Sequence, residues 1–271
     1  MKPIRLLVAT ALLAGCVPYE GIQEQGTRTY SEIGQVFPEL DPGANELQSL
    51  HFLTKAYGVS QVRTYSDIAE AAYTHIMTDT GLYSFRPRNL YRIVVYGTQD
   101  EYRKKTGQPE WSGGVAVGNA IYTFVSPGLE GVLSHEMTHL IWFEYMGRVT
   151  QDHRWVNEGL AVYQEAKARG EKGQTDMFSV LRGNLRAQPL GMDSMIRLVP
   201  ATERAYEVSL WYAQAESMVR FMIERGGRIG FSSFLESLRS GRTFDQAVAT
   251  GFPGQWTSLS DFETQWKRSL L

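Results

Sequence analysis

The stretch GVLSHEMTHLIWFEY, residues 131–145, contains two histidines four residues apart, and a glutamate follows the first of them. Successive residues of a helix are rotated by 100°, so His135 and His139 project within about 40° of each other, one turn apart. The apolar residues around both positions are typical of a buried helix. The stretch predicts either a metal-binding helix or an ordinary core helix that contains histidine, and the surrounding sequence has to decide between them.

A third candidate ligand follows on the next predicted helix. Eighteen residues separate His139 from Glu158, which is enough to end one helix, turn, and bring the first turn of a second helix back to the metal. Two imidazoles and a carboxylate form a common catalytic zinc site, in which the fourth position stays open for water. We therefore expect one Zn²⁺ ion held by His135, His139 and Glu158.

The glutamate beside the first histidine points to hydrolysis. Glu136 can reach a water on the metal without binding the metal itself, and its carboxylate can take a proton from that water. The ion would polarise the carbonyl under attack, and the tetrahedral oxyanion would need a further hydrogen-bond donor. These residue types at this spacing predict a hydrolase.

The combination of H-E-x-x-H, eighteen residues and N-E-G resembles the gluzincin metallopeptidases, particularly the aminopeptidase N family and small bacterial peptidases related to it. The resemblance covers residues 111–271 and is strongest over 113–165. It implies that His135, His139 and Glu158 bind zinc, and that Glu136 is the general base and later protonates the leaving amine. It also implies a peptide or protein substrate.

In the aminopeptidase relatives, a tyrosine at the start of a later helix donates the hydrogen bond to the oxyanion. The segment WYAQAESMVRFMIERGG, residues 211–227, follows that outline with Tyr212 in the tyrosine position, although the three residues after Tyr212 depart from the E-K-G pattern. Tyr206, one and a half turns upstream, is the alternative. Either side chain could instead pack with its hydroxyl at a polar edge of the core.

The glycine-rich segment before the zinc helix bears on substrate choice. GGVAVGNAIY, residues 113–122, predicts two short β-like runs, and the glycines with Gly118 and Asn119 in the middle indicate either a hairpin or a bulged strand. In gluzincins an edge strand here pairs with an extended peptide. The segment lacks the Gly-Ala-Met-Glu-Asn motif whose glutamate holds the free amine in the aminopeptidases. The resemblance thus favours an endopeptidase, or a peptidase with another device for recognising a chain end.

A metal-bound histidine usually donates its second ring nitrogen to a carboxylate or carbonyl. Glu165 lies two turns after Glu158, so support of a zinc-bound histidine and a solvated surface position are both open. His51, His75 and His153 lack ligand-like spacing, and we expect them in structural or exposed positions.

The N-terminus resembles that of a bacterial lipoprotein. Lys2 and Arg5 precede the apolar run LLVATALLAG, which is too short to span a membrane and is typical of a signal peptide. The run leads into Cys16, the only cysteine of the chain, which takes the position of the acylated lipobox residue. A plain signal peptide with an incidental cysteine is the alternative. Val17 after the cysteine is permissive for sorting to the outer membrane.

Charge indicates the remaining partners. Removal of residues 1–15 takes away two basic residues and no acidic ones, so the formal charge falls from −2 to −4. The absence of a basic cluster in the sequence argues against a nucleic-acid partner. We expect contact with the membrane through the N-terminal lipid anchor rather than through a charged surface. A single cysteine also excludes a disulfide within the chain.

The sequence predicts three segments: a signal peptide at 1–15, a tether at 16–45 and one gluzincin-like peptidase domain at 46–271. Its fold class should be α+β, with a small twisted sheet beside the zinc helix and a mostly helical C-terminal half. Local patterns predict a first strand in LQSLHFLTKAYG at 47–58 and another strand at 89–97. They also predict a helix at 66–81, capped by Ser66 and ended by Gly81, and a helix at 98–107 capped by Thr98.

Two other functions are consistent with the same residues. A binding or assembly factor at the cell envelope could keep the peptidase fold, and perform no catalysis, although the intact H-E-x-x-H and glutamate argue against a dead site. Zinc-dependent hydrolysis of a non-peptide amide or ester would use the same chemistry.

Overall fold

The computed structural model describes residues 37–148, 150–170, 182–197 and 205–270. The predicted signal peptide, Cys16 and most of the predicted tether lie outside these residues. In the described part of the chain, no helix combines the length and the apolar character needed to cross a membrane.

Five strands form one sheet, in the order β1-β2-β3-β5-β4. The strands are β1 (Ala44–Gln48), β2 (Phe52–Tyr57), β3 (Tyr91–Tyr96), β4 (Gly114–Val117) and β5 (Ala120–Phe124). The three central strands are parallel, with Ile93 of β3 opposite Thr54 of β2 and Ile121 of β5. The outer strands β1 and β4 run antiparallel to their neighbours. The predicted turn at Gly118 and Asn119 is confirmed as the connection between β4 and β5.

The prediction of a single first strand over 47–58 is wrong, because the chain reverses there into the antiparallel pair β1 and β2. A carboxylate on the first helix holds the turn: Glu70 Oε1 accepts hydrogen bonds from the Ser49 hydroxyl at 2.7 Å and from the His51 backbone N–H at 2.8 Å. Leu50 lies exposed at its tip. The turn therefore depends on a contact twenty residues distant, which local patterning does not report.

Helix α1 spans Val59–Thr80, so the predicted cap at Ser66 is also wrong. Ser66 is buried inside the helix, which starts directly after Gly58, a residue at φ 85° that ends β2. The end at Gly81 is confirmed, in the left-handed conformation that favours glycine. The cap of α2 (Gln99–Thr106) is confirmed as well, since the Thr98 hydroxyl accepts a hydrogen bond from the Glu101 backbone N–H at 3.1 Å.

Alternating side chains of the strands supply two apolar layers. Ile93 and Ile121 face the main core, which contains α1 and the helix that carries His135 and His139, whereas Tyr96 and Tyr122 face a smaller cluster on the other side of the sheet. Phe37 packs against this second cluster, with its ring centroid 5.1 Å from that of Tyr122. The described end of the predicted tether thus covers the back of the sheet.

The rest of the described chain is helical. It comprises α3 (Leu129–Met146), α4 (Arg154–Ala168), α5 (Arg182–Ala187), α6 (Met192–Arg197), α7 (Ala205–Arg239, kinked at Gly227), α8 (Phe244–Gly251) and α9 (Leu259–Ser269). Helix α4 packs against both α3 and α7. The carboxylate of Asp79 near the end of α1 is buried and accepts hydrogen bonds from Gln164 at 3.0 Å and Lys167 at 2.5 Å on α4. The α+β prediction, with a small sheet beside the zinc helix and a helical C-terminal half, is confirmed.

Candidate metal centre

Helix α3 is buried along most of its length and presents the H-E-x-x-H residues inside the protein. His135, Glu136 and His139 are each exposed by 5% or less. Leu133, Met137 and Leu140 point into the main core from the same helix. The opening stretch is therefore a core helix that also carries buried polar side chains.

Helix α4 brings the third predicted ligand to the two histidines. Glu158 Oε2 lies 3.7 Å from His139 Nε2 and 4.0 Å from His135 Nε2. Since α4 begins at Arg154, Glu158 lies in its second turn rather than the first. Among the described residues, these three side chains form one group whose potential ligand atoms all lie within 4.8 Å of one another.

The other ring nitrogen of each histidine is held by a side chain of α4. His135 Nδ1 lies 2.9 Å from Glu165 Oε2, and His139 Nδ1 lies 3.1 Å from Asn157 Oδ1. Each oxygen accepts the Nδ1 proton, so Nε2 of each ring lies on the side of Glu158 and can bind a metal ion once it carries no proton. The structure thus orients both imidazoles for metal binding.

These partners resolve one open alternative and add one residue. Glu165 is buried, so a solvated surface position is wrong, and its Oε1 accepts a hydrogen bond from Arg169 at 2.6 Å. Asn157 was not identified from the sequence, although it precedes Glu158 in the N-E-G segment. Its position next to the predicted ligand was the available clue, because Asn157 and Glu158 on α4 both face the two histidines.

Four buried atoms at the centre of the group test whether a metal ion fits. His135 Nε2, His139 Nε2, and both carboxylate oxygens of Glu158 have no hydrogen-bond partner among the described residues. Buried polar atoms without a hydrogen-bond partner cost free energy, and native proteins rarely contain them. A divalent cation satisfies all of them at once, and two imidazoles with one carboxylate are ligands that zinc accepts. The residues fit a zinc ion.

Burial and neighbouring charges shift the pKa values of all three candidate ligands. Burial raises the pKa of Glu158 to about 7. Burial, followed by the charge of His135, lowers the pKa of His139 to about 3. Burial also disfavours a charged His135, but the hydrogen bond and charge of Glu165 outweigh burial and raise the pKa of His135 to about 9. A bound cation would favour the deprotonated form of every ligand and so lower all three pKa values.

The predicted general base lies under the last strand of the sheet. Glu136 is the neighbour of His135 on α3, and β4 passes directly over it. A Cβ added to Gly114 would lie 3.4 Å from Glu136 Cγ and 2.7 Å from Val132 Cγ1. Glycine at 114 therefore allows β4 to approach the zinc helix more closely than any other residue would.

The two candidate tyrosines lie on α7, which crosses α4 beside the zinc ligand. A Cβ added to Gly159 would lie 2.4 Å from the Ala215 carbonyl oxygen, so the helices touch through their backbones next to Glu158. Tyr212 is buried one turn before Ala215. The Tyr206 side chain lies outside the described part of the structure, so the choice between the two stays a prediction.

The remaining histidines do not belong to the zinc group. His51 stacks on Tyr73 with ring centroids 3.9 Å apart, and its Nδ1 pairs with Glu70 at 2.7 Å. His153 is buried against Phe244, and His75 is exposed. All three occupy the structural or exposed positions expected of them.

Comparison with known proteins agrees with this geometry. Residues 68–271 match the Peptidase MA superfamily, and this span includes the zinc helix, α4 and every predicted ligand. No curated protein matches the chain. The match extends over most of the chain, so the protein belongs to the Peptidase MA superfamily.

Proposed function

We propose that the protein is a zinc-dependent peptidase of the gluzincin type that cleaves within peptide chains at the bacterial cell envelope. The observation that supports this most directly is the set of four buried atoms without a hydrogen-bond partner on His135, His139 and Glu158, with both imidazoles oriented by α4. Zinc bound there would supply a Lewis acid that polarises a carbonyl and lowers the pKa of a water.

The chain's own residues then account for the proton transfers. Glu136 lies beside His135 with its Cγ under β4, and its carboxylate would accept a proton from the attacking water. The same oxygen would pass that proton to the leaving amine. Burial of Glu136 keeps bulk water away from the carboxylate and strengthens its interaction with charges that develop nearby.

Substrate binding is assigned to β4, the strand at the end of the sheet. An extended peptide that pairs with its outer edge would run past Glu136 and be held through backbone hydrogen bonds. The sequence of β4 is GVAV, without an acidic side chain to bind a free amine. This absence within β4 supports cleavage inside a chain rather than removal of N-terminal residues.

Tyr212 is proposed as the donor to the oxyanion, with Tyr206 as the alternative. Support for Tyr212 is its burial on α7, one turn from the contact between Ala215 and Gly159. Loss of an oxyanion donor typically lowers kcat about 10²–10³-fold. Tyr212→Phe should therefore lower kcat with little change in zinc content, and the same loss in Tyr206→Phe but not in Tyr212→Phe would reverse the assignment.

The envelope location rests on the N-terminal sequence. Cys16 would carry the lipid after cleavage of residues 1–15, and Val17 is compatible with the periplasmic face of the outer membrane. Metabolic labelling with a fatty-acid probe, compared between wild type and Cys16→Ser, tests the anchor. Labelling of the wild type alone is expected, and an unlabelled wild type would exclude lipidation.

Digestion of casein and of a peptide library, with and without a chelator, tests the reaction. Glu136→Gln should keep zinc and fold but lose hydrolysis, whereas His139→Ala should lose the metal. Mapping the new N-termini separates internal cleavage from removal of terminal residues. Wild-type protein that binds zinc yet cleaves no peptide would instead favour the binding factor or hydrolysis of another amide or ester.

A further inference from the structure

The zinc group is connected to the surface of α4 through one further ion pair. Glu165 uses both of its oxygens: Oε2 contacts His135 Nδ1 at 2.9 Å, and Oε1 accepts a hydrogen bond from Arg169 at 2.6 Å. Arg169 follows directly after α4, and its backbone N–H also bonds the Glu165 carbonyl at 3.1 Å. The guanidinium, the carboxylate and the imidazole thus form a continuous chain that ends at the proposed metal ligand.

Helix α3 leaves room for this guanidinium one turn before His135. A Cβ added to Gly131 would lie 2.8 Å from Arg169 Nε and 3.3 Å from Glu165 Cγ. A Cβ added to Gly128 would lie 3.7 Å from Arg169 Nη2. The missing side chain at 131 therefore lets Arg169 lie flat against α3, above the histidine that it reaches through Glu165.

We infer that Arg169 is a positioning residue for the metal centre, acting on His135 through Glu165, and that Gly131 makes room for it. The inference rests on the proposed zinc site. A carboxylate with one oxygen bound to a planar guanidinium cannot rotate freely, so its second oxygen stays directed at Nδ1. Removal of Arg169 frees that rotation and weakens the orientation of the imidazole.

The chain offers a matched control in a second ion pair. Arg220 donates to Glu216 on α7 with the same spacing of four residues, and the side-chain exposures are 27% and 4%, against 35% and 6% for Arg169 and Glu165. The groups that act on the Arg220 guanidinium are Glu216, Glu224 and Tyr163, none of which is a proposed zinc ligand. Arg220→Gln thus removes a comparable charge and hydrogen bond without touching the metal ligands.

Zinc affinity, measured by competition with a chelator, tests the inference independently of catalysis. Loss of a direct partner of a metal-bound histidine typically costs about 10–100-fold in affinity, so Glu165→Gln should fall in this range. Arg169→Gln acts one step further away and should cost roughly 3–10-fold, whereas Arg220→Gln should leave the affinity unchanged. The cobalt-substituted protein should also show shifted visible absorption bands in Arg169→Gln, because the ligand orientation changes.

A double variant decides whether Arg169 acts through Glu165. In a Glu165→Gln background, the further change Arg169→Gln should have no additional effect on zinc affinity, because the connecting carboxylate is gone. Gly131→Ala should displace the guanidinium and reproduce the loss seen in Arg169→Gln while retaining a folded α3, since alanine favours helix. These two results would support the inference.

Three results would overturn it: unchanged zinc affinity in Arg169→Gln, the same loss in Arg220→Gln, or an undiminished effect of Arg169→Gln in the Glu165→Gln background. Failure of the proposed zinc site gives a different result. In that case the wild type itself would bind no zinc, and none of the variants would differ from it.

Discussion

The contact between α4 and α7 at Gly159 yields the sharpest prediction of stability. Gly159→Ala would place a Cβ 2.4 Å from the Ala215 carbonyl oxygen, 2.6 Å from its carbon and 2.9 Å from Val219 Cγ2. Two of these atoms belong to the backbone of a long helix and cannot rotate away. The helices must therefore separate by about 1 Å to restore ordinary van der Waals contact.

The cost of that separation can be estimated. Overpacking of a close-packed contact typically costs about 1–3 kcal/mol, and the better helix propensity of alanine returns up to about 1 kcal/mol. The free energy of unfolding should fall by roughly 1–2 kcal/mol, which corresponds to about 2–8 °C in Tm for a domain of this size. Because Glu158 precedes Gly159, zinc affinity should fall as well.

Urea unfolding of the metal-free protein, followed by circular dichroism, measures this change. Gly183→Ala is the matched control, since a Cβ added to this glycine of α5 meets nothing within 4 Å. Its stability should equal that of the wild type or lie slightly above it. If Gly159→Ala unfolds at the same urea concentration as Gly183→Ala, the two helices do not meet through their backbones, and the placement of α7 beside the zinc ligand is wrong.

Three further predictions concern the charged side chains of Glu70, His135 and Asp79. Burial raises the pKa of Glu70, but hydrogen bonds, led by that of His51, outweigh burial and lower it below its usual value. Wild type should therefore be more stable than Glu70→Gln near neutral pH, and this difference should shrink below about pH 4.5, as measured by urea unfolding. Zinc binding at pH 8 should release at least one proton, because the hydrogen bond and charge of Glu165 outweigh burial and raise the pKa of His135 to about 9. A pH indicator in weak buffer would detect the release, and zinc binding without any proton release would contradict a protonated His135 in the metal-free protein. Asp79→Asn should lower the free energy of unfolding by about 1.5–3 kcal/mol, because the charge-assisted hydrogen bonds between α1 and α4 are lost. An unchanged unfolding midpoint would show that these hydrogen bonds do not stabilise the fold.

Local patterns identified most of the secondary structure near the site because the relevant interactions are local. The cap at Thr98 bonds a backbone N–H three residues later, and Gly81 ends its helix through its own backbone conformation. The prediction of one continuous strand over 47–58 was wrong because a residue distant in sequence determines the turn there. Glu70 on α1 holds the turn between β1 and β2, so the chain reverses at Ser49 in a stretch whose composition favours a continuous strand.

The sequence by itself determined the chemistry of the metal centre, since the helical period aligns His135 with His139 and the spacing to Glu158 allows a second helix to return. Only the tertiary structure decided which groups support those ligands. Whether Glu165 faces solvent or a histidine depends on how α4 packs on α3. The proposed positioning role of Arg169 depends on the space beside Gly131. Such contacts join residues that are distant in sequence, and their geometry is set by the packing of whole helices rather than by any local pattern.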